Sequence, residues 1–190
     1  MKTISCFASH GASSFRILYE TLIRGSREYQ VGLLISNNKC SEALNWAKQN
    51  NLRCLYINAQ THPIEEFRVN AKIAALREAN TDYIVLSGYM RKLPIEVIEN
   101  YKNRIVNIHP SLLPKYGGKG MYGDNVHRAV LNARERLTGA SLHFVTPEYD
   151  EGPVILQESI EIKVSDDINS LRKKVKTLEG QLICKFFREK

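Results

Sequence analysis

The chain has 190 residues, 43% hydrophobic and 25% charged, with a formal net charge of +7. This is the composition of a soluble globular protein, read most simply as one domain over residues 1–190 with a core of its own. No run approaches the roughly 20 apolar residues of a membrane helix, and the N-terminus lacks the layout of a secretory signal. Cys6, Cys40, Cys54 and Cys184 are scattered with no C-x-x-C pair, so neither a zinc site nor a disulfide framework is expected. The expectation is a cytoplasmic protein with reduced thiols, no metal and no membrane partner.

Short β-rich runs alternate with helical patterns. Residues 3–8, 29–36, 53–57, 82–88 and 104–108 read as strands, most of them apolar on both faces, as buried parallel strands are. Helix patterns fall between them at 14–24, 41–51, 64–80 and 94–101. This alternation predicts an α/β fold: a Rossmann-like, twisted, mostly parallel sheet with helices on both faces.

Beyond Gly123 come a short helix around "NVHRAVLNA" and two strands, "ASLHFV" and "VILQESIEI", joined by the polar turn "TPEYDEGP". A last helix begins near Asp166 and Asp167, whose charge suits a helix N-terminus. Its apolar stripe is Ile168, Leu171, Val175, Leu178, Leu182 and Phe186. Glu179 falls within that stripe. It is either buried and in need of a partner or ligand, or set at the stripe's edge where it reaches water. The basic run "LRKKVK" suits nucleic acid or a phosphorylated small molecule, with a solvated helix face as the plainer reading.

Open α/β sheets bind ligands at the carboxyl ends of their strands. Two such ends stand out: the loop from Gly88 to Leu93, and the strand end at Asn107 to Pro110. Asn107 and His109 share a parity, so on a continuous strand both side chains leave one face. An asparagine amide donates to a developing oxyanion, and a histidine donates when charged or accepts a proton when neutral. Pro110 and Pro114 stiffen the exit. Alone, the N-x-H-P run also fits a histidine satisfied by backbone groups. Asp150, in the turn between the last two strands, either faces solvent or turns inward. In the second case it is expected to raise the pKa of His109 and favour the charged form.

The segments "NIHPSLLPKY" and "LHFVTPEYDEGPVILQ" together resemble the phosphoribosylglycinamide formyltransferases, a folate-dependent family, over nearly the whole chain. The resemblance implies a formyltransferase fold and a catalytic trio of Asn107, His109 and Asp150, with His143 beside the carboxylate. It implies that Leu86, Met90, Arg91, Lys92, Leu93 and Val145 hold 10-formyltetrahydrofolate. Ala12, Ser13, Ser14, Gly88 and Glu179 would hold a phosphorylated glycinamide riboside, Glu179 through the ribose hydroxyls. The implied partners are these small molecules, with no nucleic acid and a monomeric or homodimeric state.

Three stretches depart from the family. Its usual G-x-G-S-N-like phosphate loop is "SHGASS" here, with His10 and Ala12 at glycine positions and Ser14 in place of asparagine. The stretch "YGGKGMYGDNVHRAV" is longer than usual and rich in glycine, which reads as a mobile loop. Its Lys119 either reaches an anion or stays solvated. The family's arginine early in the third helix has only a displaced counterpart, Arg68. A formyltransferase for another amine, such as an amino sugar nucleotide, and a non-catalytic folate binder are the alternative readings.

Overall fold

Strands that are apolar on both faces need cover on both sides, and the alternating sequence supplies it. The computed structural model describes residues 1–190. Its strands are β1 (Lys2–Ala8), β2 (Tyr29–Ser36), β3 (Cys54–Tyr56), β4 (Tyr83–Leu86), β5 (Ile105–His109), β6 (Leu137–Phe144) and β7 (Val154–Glu161). They form one sheet in the order β3-β2-β1-β4-β5-β6-β7. The first five are mutually parallel, while β6 runs antiparallel to β5 and β7 antiparallel to β6.

The helices are α1 (Ser13–Leu18), α2 (Glu42–Gln49), α3 (Glu65–Glu78), α4 (Ile95–Asn100), α5 (Asp124–Asn132) and α6 (Ile168–Arg188). Side chains alternate across a strand. In β1, Ile4, Cys6 and Ala8 therefore join Phe15, Leu44, Val175, Leu182 and Phe187 of α1, α2 and α6 in one core. Phe7 joins Leu76 of α3 and Val97 of α4 in the core on the other face. Burying a side chain such as Phe15 or Leu76 contributes about 1.5–3 kcal/mol each. None of the helices is long and apolar enough to cross a membrane.

Two local features differ from or refine the sequence reading. The helix expected over 14–24 stops at Leu18 and continues as a π turn, Tyr19–Ile23, in which the Arg24 amide donates to the Tyr19 carbonyl at 2.8 Å. Tyr19 there packs edge-on to Trp46. At the other end, α6 is capped as its acidic start predicts. The Asp167 carboxylate accepts the Ser170 amide at 2.7 Å, and the Ser170 hydroxyl accepts the Asp167 amide at 3.0 Å.

The chain places β2 on one side of β1 and β4 on the other. The loops leaving β1 and β4 therefore diverge, opening a crevice at their carboxyl ends.

Candidate active site

Asn107 and His109 leave the same face of β5, and β6 faces them with Asn107 opposite His143 and His109 opposite Ser141. The Asn107 amide donates to His143 Nε2 at 3.0 Å. The His143 Nδ1–H donates to the Phe144 carbonyl at 2.9 Å, which leaves Nε2 as the acceptor. Asp150 comes from the β6–β7 turn with φ at 57°, an unusual value for a residue with a side chain. Two residues later, Gly152 lies so close to β6 that an added Cβ would meet the Phe144 carbonyl oxygen at 1.7 Å. Only glycine permits that closeness, so the turn is drawn inward and takes Asp150 with it.

The Asp150 carboxylate sits at the centre of the arrangement. Its Oδ2 accepts the Gly118 amide at 2.9 Å and lies 3.5 Å from His109 Nδ1. Its Oδ1 lies 3.4 Å from the Asn107 amide nitrogen and 3.5 Å from His143 Nε2. Burial pushes the Asp150 carboxyl up, but His143, His109 and the Gly118 amide outweigh that and hold it below its ordinary value. It is therefore a carboxylate at neutral pH.

His109 departs from the sequence expectation. Its ring is buried, and its Nε2–H donates to the Tyr116 carbonyl at 2.7 Å. Burial lowers its pKa below 6.5, and Asp150 and Tyr116 only partly restore it. The carboxylate does raise the pKa, as expected from sequence, but desolvation is larger, so the resting imidazole is neutral at pH 7. With Nε2 donating, Nδ1 is the atom that takes a proton, next to the carboxylate.

The trio opens into a cavity of about 1110 Å³. Every residue assigned to a site from sequence lines it. On one side Leu86 and Leu93 are buried, Val145 is partly so, and Gly88, Met90, Arg91 and Lys92 form the rim. The Met90 amide is bonded to Ser9 Oγ at 2.8 Å. The amides of Arg91, Lys92 and Leu93 have no protein acceptor. Lys92 pairs with Glu148 at 3.1 Å.

On the other side lie Ala12, Ser13, Ser14 and Glu179. Ser14 exchanges a hydrogen bond with Ser87, Oγ to Oγ at 2.7 Å, so its hydroxyl ties α1 to the end of β4. Glu179 is 8% exposed, and burial pushes its carboxyl up to about 8 against the pull of Lys176. The buried reading of this residue therefore holds. The long glycine loop also lines the cavity, with Lys119 exposed on it. Arg68 lies outside the cavity and donates to the His62 carbonyl at 2.8 Å.

Sequence reasoning missed Arg16 and His127, which also line the cavity, while Lys173 and Lys176 of the basic run "LRKKVK" reach it as well. On α6, residues 173, 176 and 180 share one helical face, which separates these two lysines from the other basic residues of the run. His127 is 2% exposed, its Nδ1 has no partner, and burial lowers its pKa to about 4.

The formyl transferase family profile matches residues 2–186. The chain is 35% identical over 182 residues to the chloroplastic phosphoribosylglycinamide formyltransferase of Arabidopsis thaliana, and 34% identical to that of Vigna unguiculata. Each match covers 95% of this chain, which spans 62% and 58% of the relatives' own lengths. The solved phosphoribosylglycinamide formyltransferase from Bacillus halodurans superposes with a TM-score of 0.85 at 29% identity, covering 95% of this chain and 91% of that one. For the glycinamide ribonucleotide transformylase 1 from Symbiobacterium toebii the values are 0.87, 26%, 97% and 85%. With the profile covering almost its full length, the chain belongs to the formyl transferase family.

Proposed function

We propose that this protein transfers the formyl group of 10-formyltetrahydrofolate to the amine of glycinamide ribonucleotide. The observation that carries the reading is the buried Asp150 carboxylate between His109, His143 and Asn107, at the mouth of a cavity large enough for two substrates. The names of the relatives support the same reaction and acceptor.

The residues fit the donor. Leu86, Leu93 and Val145 form an apolar wall for a flat heterocycle, and the unpartnered amides of residues 91–93 supply donors to its polar edge. The donor brings an activated formyl group, and the chain stabilises the charge that develops when the amine adds to it.

The Asn107 amide has one short bond, to His143, and one long one of 3.4 Å, to Asp150. The long bond is the one given up when an oxyanion forms. His109 Nδ1, 3.5 Å from Asp150, takes the proton leaving the amine, and the resulting imidazolium hydrogen-bonds to the oxyanion. Asp150 steadies the imidazolium and passes the proton on toward the departing folate nitrogen.

The test is an assay of purified protein with 10-formyltetrahydrofolate and glycinamide ribonucleotide, following the deformylated folate and the formylated product. Stoichiometric appearance of both is expected. Turnover only with a different amine would reassign the acceptor, and folate binding without turnover on any amine would remove the catalytic reading.

A further inference from the structure

In the sheet β1 lies between β2 and β4, so the residue that follows β1 stands between the exits of both. That residue is Ser9, 4% exposed, with its amide, carbonyl and hydroxyl all engaged. Its amide donates to the Gly88 carbonyl at 3.1 Å, and its hydroxyl oxygen accepts the Met90 amide at 2.8 Å. The hydroxyl hydrogen goes to Asn37 Oδ1 at 2.6 Å, and the Asn38 side-chain amide donates to the Ser9 carbonyl at 3.2 Å. One serine holds both the carbonyl of residue 88 and the amide of residue 90, across a turn in which Gly88 has φ at 65°. Between these two points, Tyr89 packs edge-on against Phe7 of β1, with ring centres 5.3 Å apart.

The turn leads straight into the strip at residues 91–93, whose amides have no protein acceptor. α4 begins directly after it: the Pro94 carbonyl accepts the Val97 and Ile98 amides at 3.1 and 3.2 Å, and the Leu93 side chain is buried. Three residues strung between two fixed points have little freedom in where their N–H groups aim. Helix α4 fixes one end of the strip, and the bond from the Met90 amide to Ser9 fixes the other. Neither Ser9 nor Asn37 lines the cavity, so neither touches a ligand bound there. Whatever Ser9 contributes to binding passes through the main chain of the strip.

We infer that Ser9, oriented by Asn37, is a positioning residue for the formyl donor: it fixes the Met90 amide and, with it, the aim of the free amides at residues 91–93. Without the hydroxyl, the Met90 amide loses its acceptor and the strip regains freedom that donor binding must then remove. The main chain of Ser9 stays held through Gly88 and Asn38, so the acceptor side of the cavity, carried by the same loop, keeps its place. The inference rests on the formyl-transfer reading only for the identity of the ligand that meets the strip.

The experiment uses Ser9→Ala, with Ser9→Thr, which keeps the hydroxyl, and Asn37→Leu, which keeps Ser9 but removes the group that orients it. Melting curves first verify that each folds. Amide hydrogen exchange in the ligand-free proteins should show Met90 losing about 10-fold of its protection in S9A, the range for one lost hydrogen bond, and regaining it in S9T. Calorimetric titration with tetrahydrofolate should show binding weakened by a similar factor in S9A and by less in N37L. In turnover, the KM for 10-formyltetrahydrofolate should rise likewise, while the KM for glycinamide ribonucleotide stays unchanged. Met90 exchange as in wild type, or protection lost with tetrahydrofolate bound as tightly as before, would overturn the inference. Equal rises in both KM values would also overturn it, making Ser9 a general brace of the crevice. If S9A is too unstable to assay, N37L decides by the same readouts. If Met90 protection depends on Ser9 in a protein that binds no tetrahydrofolate at all, the clamp stands and the folate assignment falls.

Discussion

The Asp150 carboxylate and the His109 imidazole face each other at 3.5 Å, Oδ2 to Nδ1, with side chains only 12% and 5% exposed. Burial pulls the histidine toward neutrality and the carboxylate pulls it toward charge, and in the resting protein burial is the larger. Removing the carboxylate charge should therefore lower the His109 pKa further. Titration by NMR of wild type and Asp150→Asn tests this: His109 should titrate below 6.5 in the first and lower still in the second. An unchanged or higher value in the variant would separate the two groups electrostatically.

Glu179 gives a stability prediction with a definite sign. Its folded pKa, about 8, lies above the ordinary 4.5. The folded protein thus holds a proton that the unfolded chain has lost, and stability falls as pH rises through that window. Glu179→Gln removes the penalty. Its Tm should exceed that of wild type by at least about 3 °C at pH 8 and converge with it near pH 4.5.

His127 works in the opposite direction. Its folded pKa of about 4 lies below the ordinary 6.5, with Arg172, Lys176 and His109 adding to the effect of burial and Asp124 opposing it. Its contribution is complete above pH 6.5 and is lost as pH falls toward 4. His127→Gln should show a shallower decline of Tm across that range than wild type. Parallel declines would remove His127 as the source.

Gly152→Ala tests how the turn that carries Asp150 is held. The new Cβ would overlap the Phe144 carbonyl, a backbone group that cannot swing aside. We expect a loss of at least about 2 kcal/mol in urea unfolding, together with a fall in kcat as Asp150 moves away from His109. A variant of wild-type stability would show that the turn accommodates the methyl group.

Much of this was legible in the sequence because it depends on parity and period. The side chains of Asn107 and His109 two apart on a strand, the alternating βα pattern and the capped start of α6 all follow from local rules. Three things did not. Helical spacing cannot distinguish an α turn from the π turn at Tyr19–Ile23. The balance at His109 depends on how deeply the ring is buried, which no spacing encodes. Arg16 reads as an ordinary surface charge until the close approach of α1 and α6 at Gly180 brings it to the same cavity.

The central claim is that His109 takes part in the charge redistribution of formyl transfer. The most direct measurement is kcat for His109→Ala with 10-formyltetrahydrofolate and glycinamide ribonucleotide at saturation, alongside a melting curve showing the fold intact. A fall of at least about 100-fold is predicted, the usual cost of losing one oxyanion donor. A folded H109A that transfers the formyl group at a near-wild-type rate would contradict the account.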